Sequence, residues 1–251
     1  MEKYKYGPLV YITVNDTDED GNFYWGGNPP VGYDEMGIPI DKSFVAMVPL
    51  GGRHVNHMWR LLTDLQIPFI TLLDLDWGRH GGGWGRIKNA VSKLIEYGVD
   101  PSEIFGQYLN PLGYQHNLAA FDTGSAADWT SISSWVNALR HYGVYFSSPL
   151  DIDYSMLKAF PDQYCVAPDE SSTGPSNRGE PGNAVMGDEG SPEFYADDLQ
   201  NLRWYRYLFL GRGKPSTHIR VLGSIPSVQL AQNAPEELRS LVQSIHAALQ
   251  R

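Results

Sequence analysis

The stretch PFITLLDLDWGRHGGGWG runs from Pro68 to Gly85. Its apolar run, Phe69 to Leu75, ends in two acids, Asp74 and Asp76, and a Gly-rich loop follows. An apolar run of this length between Pro and Gly predicts a buried strand of a parallel sheet. Residues two apart on a strand point the same way. Asp74 and Asp76 are therefore expected on one face at the strand's C-terminal edge, where open α/β sheets place their ligand sites. Two adjacent carboxylates repel unless a cation lies between them, and hard cations such as Mg²⁺ take oxygen ligands. A metal site is one reading. A strand-end Asp capping the next turn, beside one solvated acid, gives the same spacing.

Upstream, Ser43 to Leu50 is a second apolar run, ending at Gly51-Gly52. HVNHMWRLLTDLQI then places Val55, Met58, Trp59, Leu62 and Leu65 at helical spacing. Strand, Gly-Gly, helix and strand make a βαβ crossover, which pairs its strands in parallel. Leu9 to Val14 is a weaker strand candidate, and the turn-rich residues after it read as a loop or irregular hairpin.

Downstream, Ile87, Val91, Leu94 and Ile95 predict an amphipathic helix ending near Gly98. VDPSEIFGQYLNPLGYQHN carries few clear signals. DWTSISSWVNALRHYG predicts a helix capped by Asp128 or Thr130, and Val144 to Phe146 a third buried strand that runs into PLDIDYSMLKAF. Pro168 to Pro192, rich in Ser, Gly, Pro, Asn and acids, reads as a loop or insertion. A helix to about Leu210, a turn around Lys214 and a last helix in PEELRSLVQSIHAAL complete the chain. The expected organisation is one domain over 1–251. It divides into an irregular segment (1–40), an α/β core (41–160), an insertion (165–195) and a C-terminal helical part (196–251).

The hydrophobic fraction, 42% of 251 residues, supports a substantial core. A formal net charge of −10 argues against a general basic coat for nucleic acid, though not against a nuclease whose acids bind cations. One cysteine, Cys165, excludes an intrachain disulfide framework. No apolar run approaches the roughly 20 residues of a membrane span, and the N-terminus lacks the pattern of a signal peptide. A cytoplasmic protein with no membrane association is expected.

Asp151 and Asp153 repeat the two-residue spacing after the strand at Val144. If the two strand ends are neighbours, four carboxylates share one rim. That suits one or two divalent cations for phosphoryl chemistry, roughly 3.5–4 Å apart when paired. Asp151 and Asp153 also suit N-cap duty for YSMLKAF. Lys214, between Gly and Pro, is expected on a rigid turn, where it can offset developing negative charge or simply be solvated. Arg53 and His54 flank the Gly-Gly turn and helix start, where anions bind, and Arg79 and His80 lie in the loop after the DLD sequence; each suits either a nucleic-acid backbone contact or ordinary surface. Trp77 and Trp84 suit either base stacking or packing.

FVAMVPLGGRHVNHMWRLL, IPFITLLDLD, SPLDIDYSMLKAF and GRGKPSTH, in this order, resemble the Toprim nuclease domain of the OLD (overcoming lysogenization defect) family. The resemblance implies a Toprim-like α/β fold: a largely parallel sheet flanked by helices, here with a long irregular insertion and C-terminal helices. It implies DNA endonuclease activity with Mg²⁺ or Mn²⁺. Metal ligation then falls to Asp74, Asp76, Asp151 and Asp153, and catalysis to Asp74, Asp76 and Lys214. The family's opening strand ends in a Glu within an EGxxE- or EGxxD-like sequence, and none precedes Asp74 here. The family's preceding ATPase domain has no counterpart in this sequence either. The expected partners are therefore DNA and an ATPase domain or subunit from another chain or a missing N-terminal part, with a homodimer as an open assembly.

Two other readings stay open at this stage. One is a non-catalytic or half-site assembly subunit of an ATPase-nuclease complex. The other is a hydrolase of small phosphate esters or sugars, since paired carboxylates also serve glycosidases.

Overall fold

The computed structural model describes residues 55–167, 174–176, 179–211 and 214–249. The strand expectations at Leu9–Val14 and Ser43–Leu50, and the candidates Arg53 and His54, lie outside the described residues. Helix α1 spans Val55–Asp64 and strand β1 Thr71–Asp74. Four helices follow: α2 (Trp84–Glu96), α3 (Pro101–Phe105), α4 (Tyr114–Thr123) and α5 (Trp129–Leu139). Strand β2 (Val144–Ser147) then pairs with β1 in parallel, with Thr71 opposite Val144 and Asp74 opposite Ser147. Among the described residues the sheet has these two strands. The α/β class with parallel pairing is as expected, and the helical share is larger.

Helices cover both faces of this pair. Trp59 and Leu62 of α1 are buried, and the Trp59 indole donates to Thr71 Oγ1 at 2.8 Å. Val144 and Phe146 pack with Ile87 and Val91 of α2 and Val136 of α5. On the other face Leu72 and Tyr145 pack against Leu241 and Ile245 of the last helix, Glu236–Leu249. Leu65, read as part of the α1 stripe, lies beyond the helix end and is exposed.

After β2, helix α6 (Ile152–Ala159) is capped by Asp151, whose carboxylate accepts from the Tyr154 N–H. The cap is thus Asp151, and Asp153 lies in the first turn. Helix α7 is Pro161–Tyr164, and α8, Pro181–Met186, falls within the expected insertion. Val185 and Met186 join a second apolar cluster with Leu157, Leu202 and Tyr205, so this part of the insertion is core. Helix α9 (Leu199–Tyr205) runs into a π-helical turn, Arg206–Leu210. The unreadable stretch after Val99 is helical too: Asp100 accepts from the Ser102 N–H at 2.7 Å, and Pro101 opens α3.

Lys214 is not on a turn. It opens helix α10, Lys214–Leu222, with Pro215 in the first turn, where proline's missing N–H costs nothing. Helices α11 (Ser227–Asn233) and α12 (Glu236–Leu249) close the described chain. None of the described helices is long and apolar enough to cross a membrane.

Candidate functional site

β1 and β2 end side by side, and the chain leaving each is tied to the other. The Leu75 N–H donates to the Ser147 carbonyl, Asp76 N–H to Leu150 and Trp77 N–H to Pro149, at 3.1, 2.7 and 2.9 Å. Asp76 has a left-handed backbone, φ 54°. It therefore reaches the rim through a turn, and not through the strand alternation read from sequence. The glycines after it make that turn possible. A Cβ on Gly82 would lie 1.8 Å from the Asp76 carbonyl oxygen, so only glycine permits this approach.

The four acids at this rim are all buried: Asp74, Asp76, Asp151 and Asp153. Asp74 ends β1. Its Oδ1 accepts from the Ser147 hydroxyl at 2.6 Å and from the Ile152 N–H at 3.4 Å. Burial first, then the negative charge of Asp151, push its pKa up to about 7, against the Ser147 hydrogen bond; Asp76 and Asp153 add to the rise.

The other three acids are paired with bases. The Arg79 guanidinium bridges Asp76 Oδ1 and Asp151 Oδ2 at 2.7 and 3.0 Å. Arg86 takes the second Asp76 oxygen at 2.5 Å. Lys214 lies 2.9 Å from Asp153 Oδ2, and His218 Nε2 is 2.7 Å from Asp153 Oδ1. Tyr205 donates to Asp151 Oδ2 at 2.6 Å. Burial raises the pKa of Asp151, and the neighbouring Asp153 adds to it. Asp153 sits below the usual range: burial opposes, but the His218 hydrogen bond and Lys214 prevail. A neutral His218 carrying its proton on Nε2 satisfies both its bonds, because Tyr164 then donates to Nδ1 at 2.6 Å.

The other sequence candidates are placed differently. Arg79 is committed to the acid cluster. His80 is exposed and pairs with the exposed Glu189 at 2.8 Å. Trp77 stacks on Phe194, and its indole donates to the Ala126 carbonyl. Trp84 packs against Phe121 and donates to the Ser125 carbonyl. Both indoles are packing residues. Sequence reasoning missed Arg86, Ser147, Tyr205 and His218. Only His218 left a trace, since it lies four residues after Lys214 and shares its helix face.

A divalent ion needs several oxygens converging on one point. Among the described residues, no group of three or more His, Cys, Asp or Glu side chains is arranged to hold one. The acids are gathered, but around guanidinium and ammonium groups. As arranged, these residues do not fit a divalent cation.

Residues 30–76 match the family model described as "Overcoming lysogenization defect protein-like, TOPRIM domain". The match includes β1 and ends at Asp76, so Asp151, Asp153 and Lys214 lie outside it. No curated protein matches the chain. Among solved structures, the chain is similar to the C-terminal region of the Xanthomonas campestris pv. campestris OLD protein. The identity is 15%, the alignment covers 98% of this chain and 94% of that one, and the TM-score is 0.43.

Proposed function

We propose that this chain is a nuclease domain of the Toprim type that hydrolyses DNA phosphodiesters with Mg²⁺ or Mn²⁺. The observation that carries the reading is the meeting of four buried acids at the ends of two adjacent parallel strands, with Lys214 beside them. The matched segment, ending at Asp76, supports the same reading. The family's divalent ion supplies charge neutralisation and an activated water when bound. As arranged, the acids do not fit it.

The chain's own groups divide the work. Asp74, titrating near neutrality, is the carboxyl able to accept or return a proton at physiological pH. Lys214 and Arg86 are partly exposed cations at the same rim. A phosphate entering there meets both, and Lys214 can offset its developing charge. A half-site subunit assembled with an ATPase is the second reading. It is favoured by the internal pairing of Asp76, Asp151 and Asp153, which leaves the isolated rim closed.

Cleavage of supercoiled plasmid in Mn²⁺ and Mg²⁺ tests the reading. Activity abolished by chelator, by Asp74→Ala and by Lys214→Ala is the expected result. Metal-dependent cleavage that survives both substitutions rules the assignment out. Cleavage that starts only when an ATPase subunit is added supports the second reading.

A further inference from the structure

Helix α9 and the π turn after it have two sides. Tyr205 reaches the acid rim through Asp151, and Leu202 and Leu208 are buried in the second apolar cluster. Arg203, Arg206 and Tyr207, spaced three and four apart, share another face. There they line a cavity of about 410 Å³ with Pro175, Ser176 and Pro181. None of its lining residues is acidic, in a chain with a formal net charge of −10. Two guanidiniums three residues apart on one helix face repel each other, and an anion between them relieves that repulsion.

The surroundings hold these groups in place. Gly179, at φ 79°, passes so close to Arg206 that a Cβ there would lie 3.3 Å from Nη1. The Tyr207 ring meets Trp204 edge-on at 5.7 Å. The π turn begins at Arg206, whose carbonyl accepts from the Gly211 N–H at 3.1 Å, and such turns are frequent at functional sites.

We propose that this cavity is a nucleotide site, with Arg203 and Arg206 on the phosphate and Tyr207, Pro175 and Pro181 beside the sugar and base. A guanidinium fork matches the oxygens of a phosphate, and a tyrosine ring offers a base a face to stack on. The volume lies at the small end of the roughly 300–1,000 Å³ of ligand pockets, which suits one nucleotide and not a duplex. The phosphate belongs either to a free mononucleotide or to the 5′ end of a DNA strand, and the groups that recognise it are the same. The site uses no residue of the acid rim, so it stands or falls apart from the nuclease reading.

The test is calorimetric titration of the full chain in EDTA with dAMP, deoxyadenosine, and one short single-stranded oligodeoxynucleotide bearing either a 5′-phosphate or a 5′-hydroxyl. Arg206→Ala and Arg203→Gln are titrated beside wild type. Arg206 is exposed, so its variant should keep the wild-type Tm. Expected is saturable binding of dAMP and none of deoxyadenosine, with dAMP binding weakened about tenfold or more in Arg206→Ala, the scale of a hydrogen bond to a charged group. Arg203→Gln should weaken it likewise. Should dAMP not bind while the 5′-phosphate strengthens oligonucleotide binding in wild type and not in Arg206→Ala, the site takes a strand end. Deoxyadenosine binding as tightly as dAMP overturns the proposal. So does phosphate-dependent binding that Arg206→Ala leaves unchanged, or no phosphate-dependent binding by wild type.

Discussion

Asp74 and Ser147 face each other across the parallel β1–β2 pair, and the serine hydroxyl donates to the Asp74 carboxylate at 2.6 Å. This bond opposes the burial and the three neighbouring acids that raise Asp74. Ser147→Ala removes it without adding charge. The Asp74 midpoint should then move above about 7, followed as the carboxyl ¹³C shift against pH.

The raised Asp74 pKa makes stability depend on pH in the direction opposite to a salt-bridged acid. The folded chain keeps this proton to about pH 7, whereas the unfolded chain releases it near 3.8. Its stabilising contribution is complete below pH 3.8 and is lost as pH rises through about 7. The slope is about 1.4 kcal/mol per pH unit, with about 4 kcal/mol as the upper limit over the span. Asp74→Asn should be more stable than wild type at pH 8, with the difference fading below pH 4. Urea unfolding across pH measures it.

Asp151 both caps α6 and raises Asp74. Asn caps a helix as well as Asp does, so Asp151→Asn separates the two roles. Far-ultraviolet circular dichroism should remain that of wild type, while the Asp74 midpoint drops below about 7.

His218 ties Tyr164 to Asp153. His218→Ala removes a bond to a buried charge and should cost about 1.5–3 kcal/mol. The Asp153 pKa should rise, since that bond holds it down. Tyr164→Phe leaves the Asp153 bond in place and should cost less. Denaturant melts of the two variants give the comparison.

Gly82 lies against the Asp76 carbonyl, whereas Gly85, at the start of α2, has open space around it. Gly82→Ala should destabilise by at least about 2 kcal/mol and displace Asp76 from its two arginines. Gly85→Ala should be neutral or stabilising by up to about 1 kcal/mol. Equal melting temperatures for the two variants would contradict the close approach.

The elements the sequence displayed best are those with strong local signals. The apolar runs at Thr71 and Val144, the Asp128 cap of α5 and the last helix, α12, are all local patterns. The two acid pairs were visible for the same reason. Their partners were not: Arg79 and Asp151 are 72 positions apart, and Tyr205 and Asp151 are 54 apart. The first pair is set by how the loop after β1 meets the start of α6, the second by how α9 packs on α6, and no periodicity encodes either. Helix α8 was hidden by composition, because Gly, Pro and Asn read as loop while Val185 and Met186 supply the apolar anchor. Lys214 was misplaced because a Gly-Lys-Pro sequence suits a turn and a helix start alike.

Trp77, one residue past Asp76, packs against both large apolar clusters. Its ring contacts Trp129 at 4.8 Å on one side and Phe194 at 4.7 Å on the other. Loosening either cluster uncovers a ring that the other also needs, so the two should melt as one cooperative unit. The acid rim, anchored beside that indole, then loses its shape at the same temperature as the whole described body, with no separate earlier transition.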